Sequence, residues 1–82
     1  MANLTLLNTS ATIIHETKGS DTHDFITSGA DVVVKAMASD RATVATIMTI
    51  TAGEAASITF KTPFLEITPA GAITGQVSSY NP

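Results

Sequence analysis

Val32-Val33-Val34-Lys35-Ala36-Met37, a Ser39-Asp40-Arg41 break, and then Val44-Ala45-Thr46-Ile47-Met48-Thr49-Ile50-Thr51 are the segments that decide how this chain folds. Three consecutive valines favour an extended backbone, because branching at Cβ restricts χ1 and suits a pleated surface. Alternation then gives Val32, Val34 and Ala36 one face and Val33, Lys35 and Met37 the other. The second segment is ambiguous, since Val44, Ile47, Met48 and Thr51 also match a helical i, i+3, i+4, i+7 spacing. Thr43, Val44, Thr46, Ile47, Thr49, Ile50 and Thr51 are all β-branched and lose rotamer freedom in a helix, so the reading is a strand.

Outward from these segments the pattern repeats. Towards the carboxyl terminus, Ala52-Gly53-Glu54 supplies a turn, Ala55 to Thr62 alternates again, and Pro63 and Pro69 bracket Phe64-Leu65-Glu66-Ile67-Thr68. Proline cannot donate to a ladder, so each marks a strand boundary or an edge. Leu65 and Ile67 share a face, as do Ile73 and Val77 of the closing segment Ala72 to Tyr80. Towards the amino terminus, Phe25-Ile26 begins a short strand, His15 to Asp24 reads as an exposed loop around Lys18-Gly19-Ser20-Asp21, and Leu4 to Thr12 alternates loosely before reaching Ile13 and Ile14. Short strands at regular spacing predict an all-β chain, a small antiparallel β-sandwich of Ig-like or jelly-roll-like type. Residues 1–82 are expected to form one domain, with residues 1–14 as an extended docking arm or a first strand.

The chain has 82 residues, no Cys, and a net charge of −3. A domain of this size buries only roughly 60% of the surface its unfolded form exposes, and small cores are usually reinforced by disulfides, a metal or association. Disulfides are excluded, so association is the expected remedy. Lys18, Lys35, Arg41 and Lys61 are scattered, whereas a nucleic-acid or anionic-membrane surface needs clustered cations. No apolar run approaches the roughly 20 residues of a membrane-spanning helix. The opening Met-Ala-Asn-Leu-Thr-Leu-Leu lacks the basic leader and long apolar stretch of a secretory signal, which favours synthesis and use without export.

Reactive groups are sparse. His15, Glu16, His23 and Asp24 are the one grouping of potential metal ligands, but they match no established ligand spacing, and neither metal nor cofactor is expected. Asp21, Asp24, Asp31, Asp40 and Glu54 lie beside or within two residues of Gly, Ser or Thr, where local bonds to backbone amides account for them. Glu66 is read on a solvent face, leaving no paired carboxylates for glycoside hydrolysis. No serine lies in a nucleophile elbow and no glycine pattern makes a phosphate loop. An enzyme is therefore not expected. Phe64 and Tyr80 are candidate stacking platforms for a sugar, and Phe25 and Phe60 are assigned to the core.

Between residues 31 and 80 the order of segments is a valine-rich strand closing on Ala38-Ser39-Asp40, a strand closing on Thr51-Ala52-Gly53, a strand entered through Thr62-Pro63-Phe64, and a last strand with Gly71 and Gly75. This resembles the small β-sandwich accessory proteins of tailed bacteriophages, including capsid decoration (cement) proteins. The resemblance does not extend to the first 30 residues and rests on a pattern, not a diagnostic motif. It implies a structural virion protein on the outer surface of the capsid, made in the host cytoplasm and bound to the major capsid protein. It also implies a homo-oligomer, a trimer being common in such proteins. Leu4, Leu6, Leu7, Ile13 and Ile14 are the candidate capsid or subunit interface, through apolar contacts or addition of a strand to a neighbouring edge. A glycan-binding tail or fibre module and a bacterial protein-interaction module keep the same fold and are the rival roles.

Overall fold

A computed structural model describes residues 3–42 and 44–81. Eight strands follow one another: β1 (Asn3–Leu6), β2 (Ile13–Glu16), β3 (Thr22–Ser28), β4 (Val32–Met37), β5 (Val44–Ile50), β6 (Ala55–Thr59), β7 (Phe64–Pro69) and β8 (Thr74–Tyr80). They form two four-stranded sheets, β1-β8-β3-β6 and β2-β7-β4-β5, in which every neighbour is antiparallel. β1 pairs with β8, β2 with β7, β3 with β6 and β4 with β5, as in one long two-stranded ribbon folded about the β4–β5 hairpin. The ribbon then curls until β3 meets β8 and β4 meets β7. Eight strands in this order make the jelly-roll form of the sandwich, not the Ig form.

The valine run behaves as its alternation requires. Val32 and Val34 are fully buried in β4, and they pack with Leu65 and Ile67 of β7 and Ile50 of β5 against Leu7, Phe25, Ile73 and Val77. Removing this apolar surface from water is the main drive for closing the two sheets. The helical alternative for the second segment does not form. β5 instead carries a bulge, where Val34 faces Met48 and Lys35 faces Thr46, leaving Ile47 as the extra residue. That insertion turns Ile47 and Met48 both partly towards the core, which is why their spacing imitated a helix.

Of the two readings of the amino-terminal segment, docking arm or first strand, the strand is what forms: β1 finds a ladder on β8 and β2 a ladder on β7, each at an edge of its sheet. Two expectations change in detail. The exposed loop His15 to Asp24 shrinks to residues 17–21, since β2 runs through Glu16 and β3 starts at Thr22. Phe60 lies just past the end of β6 and is 43% exposed, whereas Phe25 is completely enclosed. The turns follow expectation: Glu54 N–H bonds Thr51 O across Gly53, and Arg41 N–H bonds Ala38 O. Asp31 Oδ1 accepts from Ala52 N–H, and Asp40 Oδ1 from Ala42 N–H.

Gly75 on β8 has a φ of +152°, and a Cβ built on it would lie 2.0 Å from the Ile26 carbonyl oxygen of β3. The obstacle is backbone, so it has no rotamer through which to move aside. Gly75→Ala is expected to destabilise the fold by at least about 2 kcal/mol, as overpacking does in a rigid interior. Gly19→Ala, in open space at a φ of +81°, is expected to cost about 1 kcal/mol. Urea unfolding of the two variants checks the order.

Candidate functional site

The two histidines that read as loop residues are both fully buried between the sheets. In β2, Ile13 and His15 share the inward face while Ile14 and Glu16 point out; in β3, His23, Phe25 and Thr27 point in while Asp24 and Ile26 point out. Ser79 of β8 sits opposite His23 in the ladder and points into the same space. These placements join side chains from four strands. Thr5 Oγ1 lies 2.6 Å from His15 Nδ1, His15 Nε2 lies 2.8 Å from Ser79 Oγ, and Ser79 Oγ lies 2.7 Å from His23 Nδ1. His23 Nε2 is 2.9 Å from the Phe60 carbonyl oxygen.

The direction of this chain follows from its last member. A carbonyl only accepts, so His23 Nε2 carries the proton and, in the neutral ring, Nδ1 accepts from the Ser79 hydroxyl. Ser79 Oγ then accepts from His15 Nε2–H, and His15 Nδ1 accepts from the Thr5 hydroxyl. Every polar atom of both imidazoles is satisfied, the condition under which burying them is tolerable. Neighbouring hydroxyls reinforce the same end of the sandwich. Thr17 Oγ1 donates to Thr62 O at 2.5 Å, with Pro63 O at 3.2 Å, and Thr62 Oγ1 lies 3.0 Å from Met37 O.

Burial lowers the His15 pKa from 6.5 to about 4, and the nearby His23 ring adds to the lowering. On the outer face of β3, Asp24 accepts from Ser57 Oγ at 2.5 Å and from Tyr80 OH at 2.8 Å. Those two bonds, that from Ser57 first, hold its carboxyl below its usual range, and the Asp24 bond raises the Tyr80 phenol.

Ser79, His23 and the Phe60 carbonyl are arranged as a hydroxyl, a base and an orienting acceptor, the order a nucleophilic serine needs. None of the three side-chain groups of the inner chain, His15, Ser79 or His23, has any exposed surface, so no substrate carbonyl can approach Ser79. The arrangement cross-links the two sheets. Glu16 and Asp24 lie on the faces opposite to His15 and His23, so the grouping of four metal ligands does not converge. Among the described residues no cluster of three or more His, Asp or Glu could hold an ion. Phe64 and Tyr80 stand on different sheets; Arg41 covers the Phe64 ring at 4.3 Å, and Tyr80 is engaged by Asp24. They form no shared stacking platform.

The five apolar residues assigned to an interface divide. Leu4, Leu6 and Ile14 are 54%, 62% and 41% exposed. Leu7 is a core residue with no exposed surface, so it presents no side chain to a partner in this conformation, and Ile13 is partly buried and packs against the core. Ile26, not singled out in the sequence, is 58% exposed on the same outer face as Leu4 and Leu6. Its signal was present in the alternation of β3, where Phe25 and Ile26 must face opposite ways. Thr5 and Ser79 were missed because hydroxyl residues are so frequent in this chain that none stands out.

In comparisons with known proteins, no family model, no curated protein and no solved structure matches the chain.

Two outcomes are expected. Below pH 6.5 the unfolded chain binds a proton at His15 that the native chain refuses, so stability falls as pH drops from about 6.5 to about 4 and this contribution levels off below that. The full loss is on the order of 3 kcal/mol, read as a falling urea midpoint, and His15→Leu flattens the slope in that window. Ser79→Ala strands the His15 Nε2–H donor and the His23 Nδ1 acceptor together, and is expected to cost about 2–4 kcal/mol in the same assay at pH 7.

Proposed function

We propose that this chain is a structural virion protein of the capsid decoration type, which binds the major capsid protein on the outside of an assembled tailed-phage head and stabilises it. The observation that carries the reading is the outer face of the β1-β8-β3-β6 sheet. Asp24 is the only Asp, Glu, Lys or Arg within those four strands, and its carboxylate is bonded to Ser57 and Tyr80. Leu4, Leu6 and Ile26 stand exposed on that face. The opposite outer face carries Glu16, Lys35 and Glu66. A small body with one weakly charged, aliphatic face and its imidazoles sealed inside is built to grip another surface. The segment order between residues 31 and 80 supports the same role by resemblance, as does the eight-stranded jelly-roll order, which recurs in viral capsid domains.

Purified protein mixed with phage heads lacking accessory protein is expected to cosediment to a saturating ratio and to raise the temperature at which the heads release DNA. Leu6→Asp, on an exposed side chain, is expected to weaken attachment at least about tenfold, the equivalent of burying one aliphatic side chain, while shifting the thermal midpoint of the free protein by only a few degrees. Absence of cosedimentation by the wild-type chain rejects the reading.

A further inference from the structure

Beyond attachment to a capsid, the two edges of the β1-β8-β3-β6 sheet fit each other. We propose that β1 of one copy adds to β6 of a second copy, head to tail, extending this sheet across the interface.

Three features of the edges carry the contact. Their direction is right: with four antiparallel strands in the sheet, β1 and β6 run oppositely, so β1 of an identically oriented second copy lies antiparallel to β6. Their hydrogen-bonding groups are in phase. Leu7 N–H bonds Gly75 O, so alternation along β1 turns the N–H and C=O of Leu4 and Leu6 away from β8 and towards the open edge. Phe60 N–H bonds Asp21 O, which by the same alternation turns those of Ala55, Ser57 and Thr59 outward from β6. Each edge offers donor and acceptor at every second residue.

The side chains are complementary in size. Leu4 and Leu6 project from β1, whereas Ala55 and Ser57 leave a hollow of about 280 Å³ on the outer face of β6, lined by Asp24, Phe25, Ile26, Ala55, Ala56 and Ser57. Strand addition brings the leucines of one copy over this hollow, against Ile26 and Ala55 of the next. Neither strand contains a charge, a proline or a bulge, the usual guards of an open edge. The other sheet is guarded at both edges, by Glu16 on β2 and by the bulge at Ile47 on β5. The contact is heterologous, so it closes into a ring where the rotation between copies permits and otherwise propagates.

Sedimentation velocity of the protein alone, as concentration is raised, tests this independently of any capsid. The wild type is expected to associate. Leu6→Lys spoils the β1 side, and Ser57→Pro removes an edge-facing N–H and the hydroxyl bond to Asp24 while leaving the backbone ladder to β3, since proline is tolerated on an edge strand with that group outward. Each is expected to associate at least about tenfold more weakly while unfolding cooperatively, and Ser57→Ala, which lacks the same hydroxyl but keeps the N–H, to associate more tightly than Ser57→Pro. An equimolar mixture of Leu6→Lys and Ser57→Pro is expected to form a dimer and nothing larger, because each retains the side its partner lacks. A wild type monomeric throughout, or Ser57→Pro associating undiminished, overturns the proposal; the second result would point to a two-fold β1–β1 contact. Self-association without head binding removes the decoration reading alone, and head binding by a monomer removes this contact alone.

Discussion

The sandwich depends on a hydrogen-bond relay that can run in one direction only. Because the Phe60 carbonyl has no proton to give, it dictates the tautomer of His23, the orientation of the Ser79 hydroxyl, the tautomer of His15 and the orientation of Thr5. The relay links β1, β8 and β3 in one sheet to β2 in the other, at the end of the molecule where the apolar core gives way to threonines. Apolar burial there would close the sheets without fixing their register, whereas a relay of this kind is satisfied in one arrangement and broken in its neighbours.

Much of the fold was legible in the sequence because β-branched residues and strict alternation speak about backbone and burial together. Val32, Val34, Leu65, Ile67, Ile73 and Val77 fall on the faces their spacing requires. The turns at Gly53 and Arg41 and the boundaries at Pro63 and Pro69 fall where their chemistry puts them. The interior histidines were not legible, since polarity argues for a loop until the partners are known, and those partners lie on strands distant in sequence. His15 receives its hydrogen bonds from Thr5 and gives one to Ser79; neither relation leaves a local mark. Phe60 misled for a related reason: alternation assigns a face only while the strand lasts, and β6 ends at Thr59.

The surfaces of the two sheets are specialised differently. One carries its charges on Glu16, Lys35 and Glu66 and packs Arg41 over Phe64; the other is nearly uncharged and bears Leu4, Leu6 and Ile26. On a capsid of the kind proposed, this asymmetry would make orientation a matter of desolvation, with the charged sheet left to water. The nucleophile-like geometry at Ser79 is enclosed by the very packing that creates it.

The ribbon topology also governs how the chain reaches its native state. Asn3 must meet Ser79, and Thr22 must meet Tyr80, before the first sheet exists. Loops of such length are entropically slow to close, and sheets dominated by distant pairings fold on the slower, millisecond-to-second side of small domains. During synthesis β1 emerges first and waits for β8, its leucines uncovered in the interval. For such a chain, the ribosome's pace and the concentration of nascent copies become part of the physics of assembly.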